Sequence, residues 1–462
     1  MCVKPNPGDK VVTVRCQPTS HPCPTCGRRG HRKRRLDRFV RSLAYGKVLW
    51  LHVRYAEYRA RCDCRKYFRS CPPDVCPKAD YDNLVRQAVL NRILDDGLNV
   101  ERTRAAMKRD FLLELSCGFI YDCLDWGLRQ LNLPGHRRRT LEGFSGVLCV
   151  DELHLGRFTV LLATDPVADE VVGFAVVRAN DQAHMRRFLL MLKYWGFLPS
   201  LVISDGSNLY PGTLAEVWPH AAHQLCVFHV LQDVTKKVLD AVRRLRRACE
   251  RRGNAGRKRK KAAGPGKKGN RKAGKRASKR ASRKASRGPS NKEKAAFVFK
   301  RRYLIVKRQE KLSQQEQADL QQMFGYLPEL KTLWRFCQQT YKLWSSEQTR
   351  KVARWRWTRL KNTEEYQRVP ELKEVLDWLD GEKFDKTQAF LGEPAGYREK
   401  TNNHVERMNR KLRFDEKVRY KFRKRKSLVR FLLLKISRHR PHPKAQPEAG
   451  PEGQGQPSGP PS

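Results

Sequence analysis

The sequence predicts a mixed α/β core with a helical insertion, preceded by a small cysteine-rich β module and a run of helices. Three observations lead there. Two apolar stretches, Gly146-Val-Leu-Cys-Val-Asp-Glu152 and Leu201-Val-Ile-Ser-Asp205, each end in a carboxylate, the pattern of buried central strands that deliver an acid to a sheet edge. Around them, strand-like and helix-like patterns alternate. Seven of the fourteen cysteines crowd into residues 16–76.

Charge narrows the function classes. A formal net charge of +50 over 462 residues draws in polyanions, so nucleic acid is the expected partner. No apolar run approaches the roughly eighteen residues of a membrane span, and Met1-Cys-Val-Lys-Pro5 has no secretory pattern. The chain is therefore expected to be soluble and cytoplasmic, with no membrane partner. In a reducing compartment, clustered cysteines point to metal and scattered ones to core packing.

Residues 16–78 read as a zinc ribbon. Pro22-Cys-Pro-Thr-Cys-Gly27 sets two thiolates two residues apart on a tight turn, half of a tetrahedral site. Cys62-Asp-Cys64 is the candidate other half, although only one residue separates its thiols; Cys71 or His31 is the alternative ligand. Val48–Tyr55 between the pairs alternates as a strand. Cys23, Cys26, Cys62 and Cys64 are thus the candidate zinc ligands, and four protein ligands leave no place for water, which makes the ion structural. Buried cysteines without metal are the competing reading.

Residues 80–140 read as helices. Leu84–Leu94 has helical spacing and stops at Asp95-Asp-Gly97, Asn99 caps a second helix, and Ser116 caps a third carrying Ile120, Cys123 and Leu124. Helix-turn-helix DNA binding and a plain helical bundle both fit.

From residue 145 the pattern becomes α/β. Strands at 147–151, 157–163 and 171–177 follow one another closely enough to be antiparallel neighbours. A helix capped near Asn180 crosses over to the strand ending at Asp205, where Gly206 is expected to turn the chain, and His223–His229 is a candidate fifth strand. That order is ribonuclease-H-like, and it makes the first and fourth strands adjoin, bringing Asp151 beside Asp205. A third acid must come from farther on. Asn402 or Asn403 caps a helix with Glu406 in its second turn, where it faces the sheet edge; His404 reads as solvated.

As an ordered set, Val150-Asp151-Glu152, Ser204-Asp205-Gly206 with Tyr210, Cys226-x-x-His229, and Asn403-His-Val-Glu406 with Asn409 resemble the DDE transposases of bacterial insertion sequences, most of all the insertion-sequence L-three family. The resemblance covers residues 20–245 and 297–436. It implies that Asp151, Asp205 and Glu406 are catalytic and hold magnesium, as two ions, with manganese as a substitute. It implies a zinc module and a helix-turn-helix ahead of the catalytic domain. It further implies double-stranded DNA partners (element ends and target), nucleoid association, and a homodimer or higher assembly on DNA. The chemistry agrees: in-line phosphodiester transfer by two hard cations requires convergent carboxylate oxygens. Cys226 and His229 are then site-shaping residues or a packed pair, since a cysteine-protease dyad lacks a third member.

Two stretches depart from the family. Residues 251–294 hold twenty Lys or Arg against one Glu, too little apolar content for a core, so 246–296 is expected to be a disordered arm that neutralises phosphates. The tail, 439–462, is expected to be disordered as well. Between them, 145–245 and 396–438 form the catalytic domain, and 297–395 is a helical insertion in which Trp334 and Trp344 are core and Arg354-Trp-Arg-Trp357 is open as a DNA contact. The competing functions are a catalytically silent sequence-specific DNA-binding protein and a ribonuclease-H-like nuclease that does not join strands.

Overall fold

Alternation dictates the first sheet. In the computed structural model, which describes residues 4–44, 47–60, 66–76, 79–207, 209–262, 288–392, 398–419 and 422–443, strands β1 (Val11–Cys16), β2 (Ser20–Pro22), β3 (Arg29–Ala44), β4 (Lys47–Ala60) and β5 (Tyr67–Arg69) come first. They pair in the order β1-β4-β3-β2, with β5 on the other part of β4. Val40 and Val53 on the long β3–β4 hairpin pack with Val75, while Lys33, Arg34 and Arg35 stay exposed. Cys23 is buried against Ala60 and Phe68 at the β2–β3 corner, in a turn closed by the Gly27 amide donating to the Cys23 carbonyl at 2.8 Å. The second expected pair, Cys62 and Cys64, lies outside the described residues, and the described ones contain no three His, Cys, Asp or Glu grouped to hold a metal. Cys71 lies beside Cys16, Cys76 and Arg38, and burial raises its pKa.

Four helices follow: α1 (Asn83–Leu94), α2 (Val100–Phe111), α3 (Cys117–Arg129) and α4 (Leu133–Glu142). The side chains of Asp82, Asn99 and Ser116 each accept an amide at the start of their helices. Gly97, at φ +71°, takes the left-handed turn that ends the first. Apolar residues on α1–α3 pack onto one face of the second sheet, sharing its core.

That sheet holds β6 (Val147–Leu155), β7 (Phe158–Asp165), β8 (Glu170–Val177), β9 (Leu201–Ser204) and β10 (Ala222–Leu225), in the order β10-β9-β6-β7-β8. The first three form an antiparallel meander, and β9 is parallel to both β6 and β10. Helices α5 (Gln182–Tyr194) and α6 (Pro211–Val217) supply the crossovers and pack on the other face with Leu148, Val150 and Val202. One expectation fails locally, and one holds for another reason. The strand predicted to reach His229 ends at Leu225, because the chain turns at Cys226 into α7 (Val227–Ala262). The chain does bend at Gly206, but φ there is not left-handed and a Cβ would meet open space, so the bend does not require glycine.

Helix α7 begins a second core. Val227, Val230, Val234 and Val238 recur at helical spacing and pack with α8 (Asn291–Arg301), α9 (Gln314–Tyr326), α10 (Glu329–Lys342), α11 (Arg350–Lys361), α12 (Glu364–Gln367), α13 (Pro370–Trp378) and α14 (Glu382–Thr387). The expected disordered arm is therefore helical through Ala262 and again from Asn291; 263–287 lies outside the described residues, as do 444–462 of the tail. Gln224 on β10 docks this unit to the sheet by donating to the Thr387 carbonyl and accepting the Phe390 amide at 2.9 Å. The chain returns through α15 (Asn403–Arg419) and α16 (Arg425–Ile436), which cover the sheet face already packed by α1 and α3. No helix among the described residues is long and apolar enough to cross a membrane.

Candidate active site

Strand register fixes the first two acids. On β6, Val147, Cys149, Leu153 and Leu155 belong to the core shared with α15, while Leu148 and Val150 face α5. A period of two therefore turns Asp151 toward α15. Cys149 pairs with Ile203 in the parallel β6–β9 ladder; Asp151 lies two residues beyond in β6 and Asp205 two beyond, just past the end of β9, so both stand at the same end of the sheet. Glu152 points the other way. Its carboxylate accepts the Tyr210 hydroxyl, and Asn180 donates to it from 3.4 Å.

The third acid arrives on α15. Asn402, wholly buried, donates to the Val150 carbonyl at 3.1 Å, and its amide meets the Cys226 sulfur at 3.1 Å. The helix thus starts directly over β6, and the Glu406 amide donates back to the Asn402 carbonyl at 3.1 Å. Glu406 sits in the first helical turn rather than the expected second. One turn on, the buried Asn409 donates to Asp151 Oδ2 at 2.6 Å. Glu406 Oε1 lies 3.7 Å from Nε2 of His229, which projects from the first turn of α7. Asp205 is steadied by the Ser207 amide, which donates to its Oδ1 at 3.0 Å.

These groups act on one another electrostatically. Burial pushes the Asp151 carboxyl up to about 7, helped by the charges of Glu406, Glu152 and Asp205. The Cys226 thiol beside it holds the His229 imidazole up at about 9 against the opposing effect of burial, with Asp205 and Glu406 adding to the rise. The structure thus brings Asp151, Asp205, Glu406, Cys226 and His229 into one neighbourhood. The donor set suits a divalent cation: hard oxygens, one of them reluctant to ionise without a positive partner. Among the described residues no three His, Cys, Asp or Glu are grouped to hold a metal ion.

His404, expected in solvent, is buried at 5% exposure, and its Nε2 donates to Asp169 Oδ1 at 2.7 Å. Asn402 was legible only as a cap and Asn409 only through the motif it follows. Neither residue type announces burial, and the signal available was their spacing along one helical face around Glu406.

A family model described as transposase, of the DDE type and the insertion-sequence L-three group, matches residues 148–423. That span takes in all three acids and the helical insertion. No curated protein matches the chain.

Proposed function

The chain belongs to the DDE transposases of the insertion-sequence L-three group, and from that premise we propose that it binds the ends of its own element, cleaves DNA phosphodiesters there and joins the freed 3′-hydroxyl ends to target DNA. In this reading the second sheet is a ribonuclease-H-like core, Asp151, Asp205 and Glu406 are its catalytic acids, and α2–α3 is a helix-turn-helix behind a zinc ribbon that uses Cys23, Cys26, Cys62 and Cys64. Magnesium held by the three carboxylates would supply Lewis-acid activation of the attacking oxygen and charge neutralisation at the leaving oxygen.

The protein's own groups do the orienting. Asn409 ties down one oxygen of Asp151, and the Ser207 amide ties down one oxygen of Asp205, so each acid offers its remaining oxygen in a fixed direction. His229 in its cationic form balances the carboxylates, and with Cys226 it shapes the wall on the α7 side. The observation that carries the reading is that strand register and the seating of α15 put the acids at positions 151, 205 and 406 about one end of one sheet, within the residues that match the family.

The test is incubation of the purified chain with the DNA flanking its own gene, with magnesium or with a chelator, followed by sequencing of the products. Joined ends that need magnesium and vanish in Asp151→Asn are expected. Cut but unjoined DNA would indicate a nuclease, and binding with no cleavage would indicate a silent DNA-binding protein.

A further inference from the structure

Asp169 joins three stretches of chain that are far apart in sequence. It lies in the turn between β7 and β8 at φ +55°, a left-handed conformation that few side chains adopt and that Asp tolerates. Its Oδ1 accepts His404 Nε2 at 2.7 Å, its Oδ2 accepts the His442 amide at 2.9 Å, and its carbonyl accepts His439 Nε2 at 2.6 Å. Arg407 reaches within 3.8 Å of the same carboxylate. The His404 ring is buried and its Nδ1 has no hydrogen-bond partner, so Nε2 carries the proton and the ring serves this one contact.

The contact bears on the acid two residues away. Glu406 stands in the first turn of α15 with its amide on the Asn402 carbonyl, so how the start of the helix seats on the sheet sets where its carboxylate stands. Val405, Met408 and Leu412 press the helix onto the sheet, yet apolar packing is non-directional and leaves slide and rotation to polar contacts. Those that reach the sheet from this helix include Asn402 on the Val150 carbonyl, Asn409 on Asp151, and His404 on Asp169. The first two act on β6 itself. Asp169 acts from the far side of the meander, beyond β7.

We propose that Asp169, through His404, is a positioning residue that sets where the Glu406 carboxylate stands relative to Asp151 and Asp205, and so governs how tightly that edge takes a divalent cation. The claim rests on the reading of Glu406 as the third acid. A plain staple would lower the melting temperature and nothing else. Positioning lowers cation affinity in a protein that still melts cooperatively.

Asp169→Asn keeps the size and the left-handed tolerance of the side chain while deleting its charge. His404→Ala deletes the donor, and His404→Gln restores one. Full-length protein without DNA is titrated with Mn²⁺, free metal being followed by electron paramagnetic resonance, and strand cleavage is measured against magnesium concentration. Asp169→Asn and His404→Ala are expected to bind Mn²⁺ about tenfold more weakly, the low end of the effect of removing a group that orients a metal ligand. Their cleavage should recover at high magnesium, and His404→Gln should stay near the parent. Parent-like Mn²⁺ binding in both loss variants, or loss of the cooperative melt in both, overturns the proposal. Glu406→Gln separates the two levels: if it too binds and cleaves like the parent, the third acid was misassigned and the proposal falls with it. If it loses binding while the Asp169 and His404 variants keep it, the positioning claim alone fails.

Discussion

At the scale of single residues, Asp151 carries the largest electrostatic consequence. Its carboxyl sits at about 7 against an ordinary 3.8, through burial first and neighbouring carboxylates second. The folded state therefore holds this proton more tightly than the unfolded chain does. The resulting stability is fully present below about pH 4 and is lost as pH rises through 7, at up to ~1.4 kcal/mol per pH unit for one such group. In chelator, Asp151→Asn should raise the thermal midpoint clearly at pH 8 and much less at pH 5, as scanning calorimetry would show; equal shifts at both would mean the charge is not the cause. The same variant should cut DNA at least about a hundredfold more slowly, since losing even a group that merely orients a metal ligand costs ~10–100-fold. Asp151 and Asp205 were legible because an apolar run ending in an acid reads as a buried strand that delivers the acid to the sheet edge. The environments of Asn402, His404 and Asn409 were not, because a polar side chain on a helix does not say which neighbour will cover it.

Among the elements, α11 resolves a point the sequence left open. Trp357 is core: it is buried, stacked on Phe384 with ring centroids 4.8 Å apart, and its Nε1 donates to Asp380. Trp355 is not. It is 60% exposed, on a face with Lys351 and Arg359, and the Arg359 guanidinium lies 5.6 Å from its ring centroid. Two aromatics two residues apart fall on different faces of a helix, so one serves packing and the other is free to stack on a base. Trp357→Ala should destabilise by about 3–5 kcal/mol in denaturant titration. Trp355→Ala should leave the midpoint alone and weaken DNA binding by about 1–3 kcal/mol in an anisotropy titration; the reverse pattern would refute the division. Two capped helices were read nearly to the residue, since Asn99 and Ser116 sit where helices begin. Strand β3 was missed because its basic residues hide the alternation, and the segment 226–229 was misread because a short apolar run fits strand and helix equally.

The molecule as a whole is joined where its sequence segments lie far apart. Apolar residues of α1 and α3 (Val89, Ile93, Ile120), of the second sheet (Leu153, Phe158, Val160), and of α15 and α16 (Leu412, Phe431, Leu432) form one continuous core. Composition alone suggests that the Lys- and Arg-rich stretch acts on any DNA alike. Deleting residues 253–287 should therefore flatten the salt dependence of binding, by about 0.9 in the log–log slope for each phosphate that is no longer neutralised, while leaving sequence preference intact; an unchanged slope would mean the stretch does not touch the DNA backbone. The shared core leads to a firmer expectation. A chain beginning at residue 145 keeps all three acids, yet it bares the sheet face that α1–α3 cover, a contiguous apolar surface of the kind that drives association. It should therefore aggregate or melt without cooperativity, measured by light scattering and calorimetry, rather than persist as a free catalytic domain with relaxed DNA choice. A soluble, cooperatively melting fragment that still cuts DNA would show that the N-terminal helices are an appendage. In the folded chain they are part of what holds α15, and with it Glu406, against β6.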